Sequence, residues 1–128
     1  MNETRLIIAG GRDFDDYYLL KNKTNDLIKN NNIDTDSLRI ISGAARGADT
    51  LGKEYAQTNG YLITVMPANW DLYGKSAGFR RNIEMADYAI ADNSRGILLA
   101  FWDGKSKGTK HMIDIANKYK MEVNIVYY

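Results

Sequence analysis

Five short apolar runs punctuate the chain: Leu6-Ile7-Ile8-Ala9, Leu38-Arg39-Ile40-Ile41, Tyr61-Leu62-Ile63-Thr64-Val65-Met66, Ile97-Leu98-Leu99-Ala100-Phe101 and Val123-Asn124-Ile125-Val126. Runs this short and this apolar fit strands covered on both faces. Between them apolar residues recur at helical spacing. Tyr17, Leu20, Thr24, Leu27 and Ile28 share one side of a helix that Asp15 or Asp16 caps and that runs to about Asn30. A second helix covers about 45–59, with Ala48, Leu51 and Tyr55 facing inward and Gly60 ending it. Pro67 stops regular structure, and 68–75 read as a loop holding Trp70 and Tyr73. Ser76 is the candidate cap of a third helix through Arg81, Asn82, Met85 and Ala86. Thr109 begins a fourth, with Met112, Ile113, Ile115 and Ala116 as its core side. Strand and helix therefore alternate, which predicts an α/β fold: a mainly parallel five-stranded sheet with helices on both faces, in the order 3-2-1-4-5. That order sets strands 1 and 4 side by side and opens a crevice where their connections diverge.

Three glycine-bearing loops fall where an apolar run gives way to a helix. They are Gly10-Gly11-Arg12-Asp13, Ser42-Gly43-Ala44-Ala45-Arg46-Gly47-Ala48-Asp49 and Asp103-Gly104-Lys105-Ser106-Lys107-Gly108-Thr109. Helix N-termini at such junctions offer free N–H groups and a partial positive charge suited to phosphate. In the second loop Gly43 and Gly47 allow close backbone approach, Ala44 keeps the wall small, and Ser42 offers a hydroxyl. Arg46 is placed to pair with phosphate or to anchor the loop, and Asp49 to read ribose or to cap the helix. Alternatively, the whole stretch is a strand-to-helix turn built of small residues for packing. Asp13 beside phosphate would be unfavourable, so it faces ribose, base or Arg12; alternatively Arg12 and Asp13 are an ion pair that merely rigidifies the turn. Gly108, Thr109 and Ser106 form an anion cradle, Asp103 a sugar contact, or all of them a plain surface turn. Neither the Walker spacing nor GxGxxG is present. Trp70 is a candidate base platform, with Arg81 and Asn82 on the next helix; rim packing accounts for Trp70 equally well. His111, the single histidine, reads as exposed.

Composition narrows the chemistry. The 128 residues suit one domain, 1–128, and a 45% hydrophobic content can fill one core. Seventeen basic against sixteen acidic residues leave a net charge of +1, which argues against a strongly electrostatic nucleic-acid binder. With no cysteine and one histidine, thiolate and multi-histidine metal sites are excluded. No metal is expected beyond Mg²⁺ carried in by phosphates, and no cofactor beyond a nucleotide ligand. The N-terminal apolar run is too short for a signal peptide or a membrane span, so no membrane partner and a cytoplasmic location are expected.

Taken together, Gly10-Gly11-Arg12-Asp13-Phe14, Ser42 to Asp49, Trp70…Gly78…Arg81-Asn82…Met85 and Phe101-Trp102-Asp103-Gly104…Ser106…Gly108-Thr109 resemble the SLOG superfamily, which includes the DprA/Smf and Lonely Guy proteins. The nearest resemblance is to small YspA-like bacterial and phage proteins. It implies a Rossmann-like three-layer α/β/α sandwich that binds nucleotides or nucleotide-derived ligands, with small members pairing as homo-oligomers. The Lonely Guy enzymes carry GGxGTxxE, whose glutamate helps cleave an N-glycosidic bond. Matching Gly108-Thr109 to its GT sets Met112 at the glutamate position, where methionine can transfer no proton. Three readings follow. The first is a binder or sensor of a nucleoside phosphate or of an ADP-ribose- or NAD-like ligand. The second is an N-glycosidic hydrolase or transferase using Asp13, Asp49 or Asp103 as its carboxylate. The third is single-stranded nucleic-acid binding in the manner of DprA.

Overall fold

The computed structural model describes residues 2–128. Its strands are β1 (Thr4–Gly10), β2 (Leu38–Ser42), β3 (Leu62–Val65), β4 (Arg95–Trp102) and β5 (Glu122–Tyr127). Its helices are α1 (Tyr17–Asn30), α2 (Ala48–Asn59), the single turn α3 (Trp70–Tyr73), α4 (Ala77–Ile90) and α5 (Lys107–Lys118). All strand pairings are parallel and the sheet order is β3-β2-β1-β4-β5, as the alternation of the sequence predicts.

Alternation along the strands fills two cores. Leu6, Ile8, Ile97, Leu99 and Phe101 point to the face covered by α1 and α2, where they meet Leu20, Leu27 and Tyr55. Ile7, Ala9, Leu98 and Ala100 point to the other face, against Met85, Ala86 and Ala89 of α4 and Met112, Ile113 and Ala116 of α5. Because β1 and β4 are buried on both faces, they read as unbroken apolar runs. Their N-terminal ends are locked by polar contacts. Arg5 donates to Glu3 at 2.9 Å, to the Tyr88 carbonyl at 2.7 Å and to Asp92 at 3.2 Å, while Arg39 donates to the same Glu3 at 3.1 Å. The C-terminal ends of the strands are thereby left as the open edge.

Asp16 caps α1 through the Leu19 N–H at 3.0 Å, and α1 ends at Asn30. Three boundaries differ from the sequence reading. Helix α2 starts at Ala48 and not near Ala45, because Ala44 (φ 63°) and Gly47 (φ 79°) hold the preceding segment in left-handed backbone. Helix α5 starts at Lys107, two residues before Thr109, with Ser106 at its cap position. The expected loop 68–75 is partly wound into α3, which Asn69 caps through the Leu72 N–H at 3.1 Å. Ser76 does not cap α4: its hydroxyl donates to the Tyr73 carbonyl at 3.0 Å, and the chain enters α4 already in helical backbone. No helix among the described residues is long and apolar enough to cross a membrane.

Helix α2 approaches β1 closely through Gly52, where a Cβ would sit 2.8 Å from Ile8 Cγ2. Glycine is a weak helix former, yet any side chain here overpacks the interface. Gly52→Val should lower stability by about 1–3 kcal/mol, read as a reduced urea midpoint at constant slope. An unchanged midpoint would show that α2 is free to move off the strand.

Candidate functional site

Chain direction reverses across the sheet between β1 and β4. After β1 the chain moves toward β2 and β3, then returns through α3 and α4 to place β4 on the other side of β1. The C-terminal ends of β1 and β4 therefore flank a crevice, the usual ligand position in an open parallel sheet. A cleft of about 650 Å³ lies there, bounded by Gly10 to Asp13 after β1, by Asp103, Ser106, Gly108 and Thr109 after β4, and by Arg46, Asp49, Trp70, Arg81 and Asn82. Its volume suits a nucleotide-sized ligand.

The three loops are tied to one another through their backbone. The Gly11 N–H donates to the Phe101 carbonyl at 3.1 Å, and the Gly11 carbonyl accepts from Phe14 and Ala48, each at 3.2 Å. Gly47 lies directly on this junction, where a Cβ would collide with the Gly11 carbonyl and the Arg12 backbone. Its glycine identity is thus a requirement of both space and its left-handed φ.

The second loop turns its polar groups inward. Ser42, buried, donates to the Asp49 carbonyl at 2.8 Å and accepts from the Ala44 N–H at 3.3 Å. Its hydroxyl is therefore committed to holding the loop and is not presented to a ligand. Asp49 is 4% exposed; its Oδ2 accepts from the Ala45 N–H at 3.3 Å and lies 4.0 Å from Arg81 Nη1. Burial pushes the Asp49 carboxyl up to about 6, against the opposing pull of the Arg81 guanidinium. Arg81 also donates to the Gly43 carbonyl and, through Nε, to Asn82 Oδ1 at 3.2 Å. Gly43 and Ala44 line a side cleft next to the main one, and Gly47 lines neither.

The first and third loops hold the remaining carboxylates. Tyr128 donates its hydroxyl to Asp13 Oδ1 at 2.5 Å, with burial and that carboxylate raising the phenol above its ordinary value. Asp103 Oδ1 accepts from the Lys105 and Ser106 N–H groups, both at 2.8 Å, and these bonds hold its carboxyl below the ordinary range. The Arg12–Asp13 pair expected from the sequence does not form. Arg12 instead places its guanidinium carbon 5.8 Å from the Trp70 ring centre. Trp70 is half exposed at the cleft rim.

At the N-terminus of α5, no side chain among the described residues caps the helix and its first turn holds no acid. The N–H groups of Lys107, Gly108 and Thr109 consequently have no intrahelical partner. Asn82, mostly buried, fixes this end by donating to the Gly108 carbonyl at 3.3 Å and to His111 Nδ1 at 3.1 Å. His111 is half-buried and not exposed as expected: it packs 4.4 Å from the Phe79 ring, and burial lowers its basicity. Met112 is buried at the cleft floor, in the place matched to the Lonely Guy glutamate.

The sequence reading omitted Lys75, Phe79 and Tyr128. Tyr128 follows β5, and a parallel sheet carries that strand's end to the same edge as those of β1 and β4; this was the available signal. Phe79 and Lys75 depend on the path of α3 and α4, which no local pattern marks. Among the described residues there is no cluster of three or more metal-ligating side chains.

Comparisons with known proteins converge. The sequence model of the YspA, cpYpsA-related SLOG family matches residues 4–73, more than half of the chain. The Gene 61 protein of Mycobacterium phage D29 is 40% identical over 86 residues, which cover 63% of this chain and 65% of that protein. DNA processing protein A (DprA) from Streptococcus pneumoniae superposes with a TM-score of 0.64 at 16% identity, over 97% of this chain and 50% of that one. The chain thus spans about half to two thirds of these relatives, and the DprA likeness is one of fold.

Asp49 titrates upward in the folded protein, so folding favours its protonated form. Its contribution to stability is neutral below the ordinary carboxylate value and becomes unfavourable as pH rises to about 6. Relative to Asp49→Asn, the native protein should therefore lose up to about 3 kcal/mol between pH 4 and pH 7. Paired urea titrations of the two proteins at several pH values measure the difference. A constant difference across that range would mean that Asp49 is ionised throughout.

Proposed function

Because the chain belongs to the YspA, cpYpsA-related SLOG family, we propose that it binds a phosphorylated nucleotide or a nucleotide-derived ligand of ADP-ribose or NAD type, without cleaving it. The family and the fold support a nucleotide-related role, and the cleft supports the finer reading. The single observation that carries it is the uncapped, acid-free N-terminus of α5 opening into a 650 Å³ cleft. Phosphate would be held there by the N–H groups of Lys107, Gly108 and Thr109, aided by the helix dipole. Trp70 at the rim would provide a surface for the base, and Phe79 lines the same cleft.

Non-catalytic binding is supported by what occupies each carboxylate. Asp13 takes the Tyr128 hydroxyl, Asp103 takes two backbone N–H groups, and matching Gly108-Thr109 to the Lonely Guy motif sets Met112 at its glutamate position. One observation favours the enzymatic alternative. Asp49 lines the cleft with its carboxyl near 6, in the range of a proton-transfer group. If it were the catalytic carboxylate, released base would be detected chromatographically with the native protein and lost in Asp49→Asn.

Gly108 is exposed, and a Cβ there meets nothing. Gly108→Asp should therefore keep or raise the melting temperature, because a carboxylate suits a helix N-terminus. The same carboxylate should repel phosphate and weaken nucleoside 5′-monophosphate binding at least tenfold, measured by calorimetry. Unchanged affinity would move the phosphate site elsewhere.

A further inference from the structure

Beside the main cleft lies a second, of about 550 Å³, which opens from the same rim. Arg12, Arg46, Arg81 and Trp70 line both. The remaining wall is Gly43, two alanines, Pro67 and Ala68, so no carboxylate faces the space. Arg81 is partly neutralised by Asp49 at 4.0 Å. Among the described residues, Arg12 and Arg46 form no ion pair. Guanidinium groups converging on a carboxylate-free cavity repel one another until an anion joins them, and arginine is suited to bidentate phosphate recognition.

We infer that this side cleft is a second anion subsite, so that the ligand carries two separated phosphates on one nucleoside stacked at Trp70. One phosphate lies at the α5 N-terminus and the other between Arg46 and Arg12. This inference rests on the nucleotide reading above and narrows it to a nucleoside 3′,5′-bisphosphate. A nucleotide with adjacent phosphates fills only one of the two subsites.

Calorimetric titration distinguishes the cases, using adenosine and guanosine as 5′-monophosphates, 5′-diphosphates and 3′,5′-bisphosphates. A bisphosphate should bind at least tenfold tighter than both the monophosphate and the diphosphate of its base. Arg46→Gln, on the exposed side of the second loop, should erase that advantage, weakening the bisphosphate at least tenfold more than the monophosphate. Equal affinity for monophosphate and bisphosphate would overturn the second subsite, as would a diphosphate matching the bisphosphate. So would an Arg46→Gln protein that weakens all three ligands alike. Binding of none of them, nor of ADP-ribose or NAD titrated in the same way, would overturn the nucleotide reading itself.

Discussion

The peptide group of Gly11 is the point on which the site depends. Its N–H reaches β4 at Phe101, and its carbonyl takes the N–H of Ala48 at the start of α2 as well as that of Phe14. One residue thereby fixes the ends of β1 and β4 and the start of α2. Gly47 lies against it because nothing larger fits. A backbone junction of this kind costs no side-chain entropy to hold, and it leaves the side chains of Arg12 and Arg46 at the cleft without an ion-pair partner among the described residues. The parallel sheet supplies the rest. All five strand ends point the same way, and the return of the chain between β3 and β4 leaves the crevice uncovered.

This architecture separates two kinds of helix N-terminus. Helix α2 carries Asp49 in its first turn, and its Ala48 N–H is consumed by Gly11. It therefore has little capacity left for an anion. Helix α5 carries neither a cap nor an acid, and Ser106, Gly108 and Thr109 at its start line the cleft. The sequence makes the two loops look alike, since both are rich in glycine and small residues. Their hydrogen bonds distinguish them: buried polar groups in the second loop satisfy one another, whereas the first N–H groups of α5 have no side-chain partner among the described residues.

Much of this was legible before the structure. The unbroken apolar runs of β1 and β4 announced doubly covered strands, and the alternation with helices gave the sheet order. Gly10, Gly11, Arg12, Asp13, Arg46, Asp49, Trp70, Arg81, Asn82, Asp103, Ser106, Gly108 and Thr109 do come together around one cleft. What the sequence could not tell was the direction of the polar groups. Ser42 and Asp49 look like ligand contacts in a glycine loop, yet long-range geometry turns one onto the other's backbone and places Arg81 beside the carboxylate. Asp13 looked like a partner for Arg12, but Tyr128, 115 residues away, claims it. Contacts of that kind follow from strand register, which the local pattern of residues does not carry.

Nucleotide binding at the β1–β4 switch point is tested most directly by amide NMR of the ¹⁵N-labelled protein, titrated with a nucleoside 5′-monophosphate. The N–H signals of Lys107, Gly108 and Thr109 should shift first and furthest, together with the Trp70 indole. Shifts confined to α1 and the N-terminal ends of the strands, or no shifts at millimolar nucleotide, would contradict a phosphate site at the start of α5.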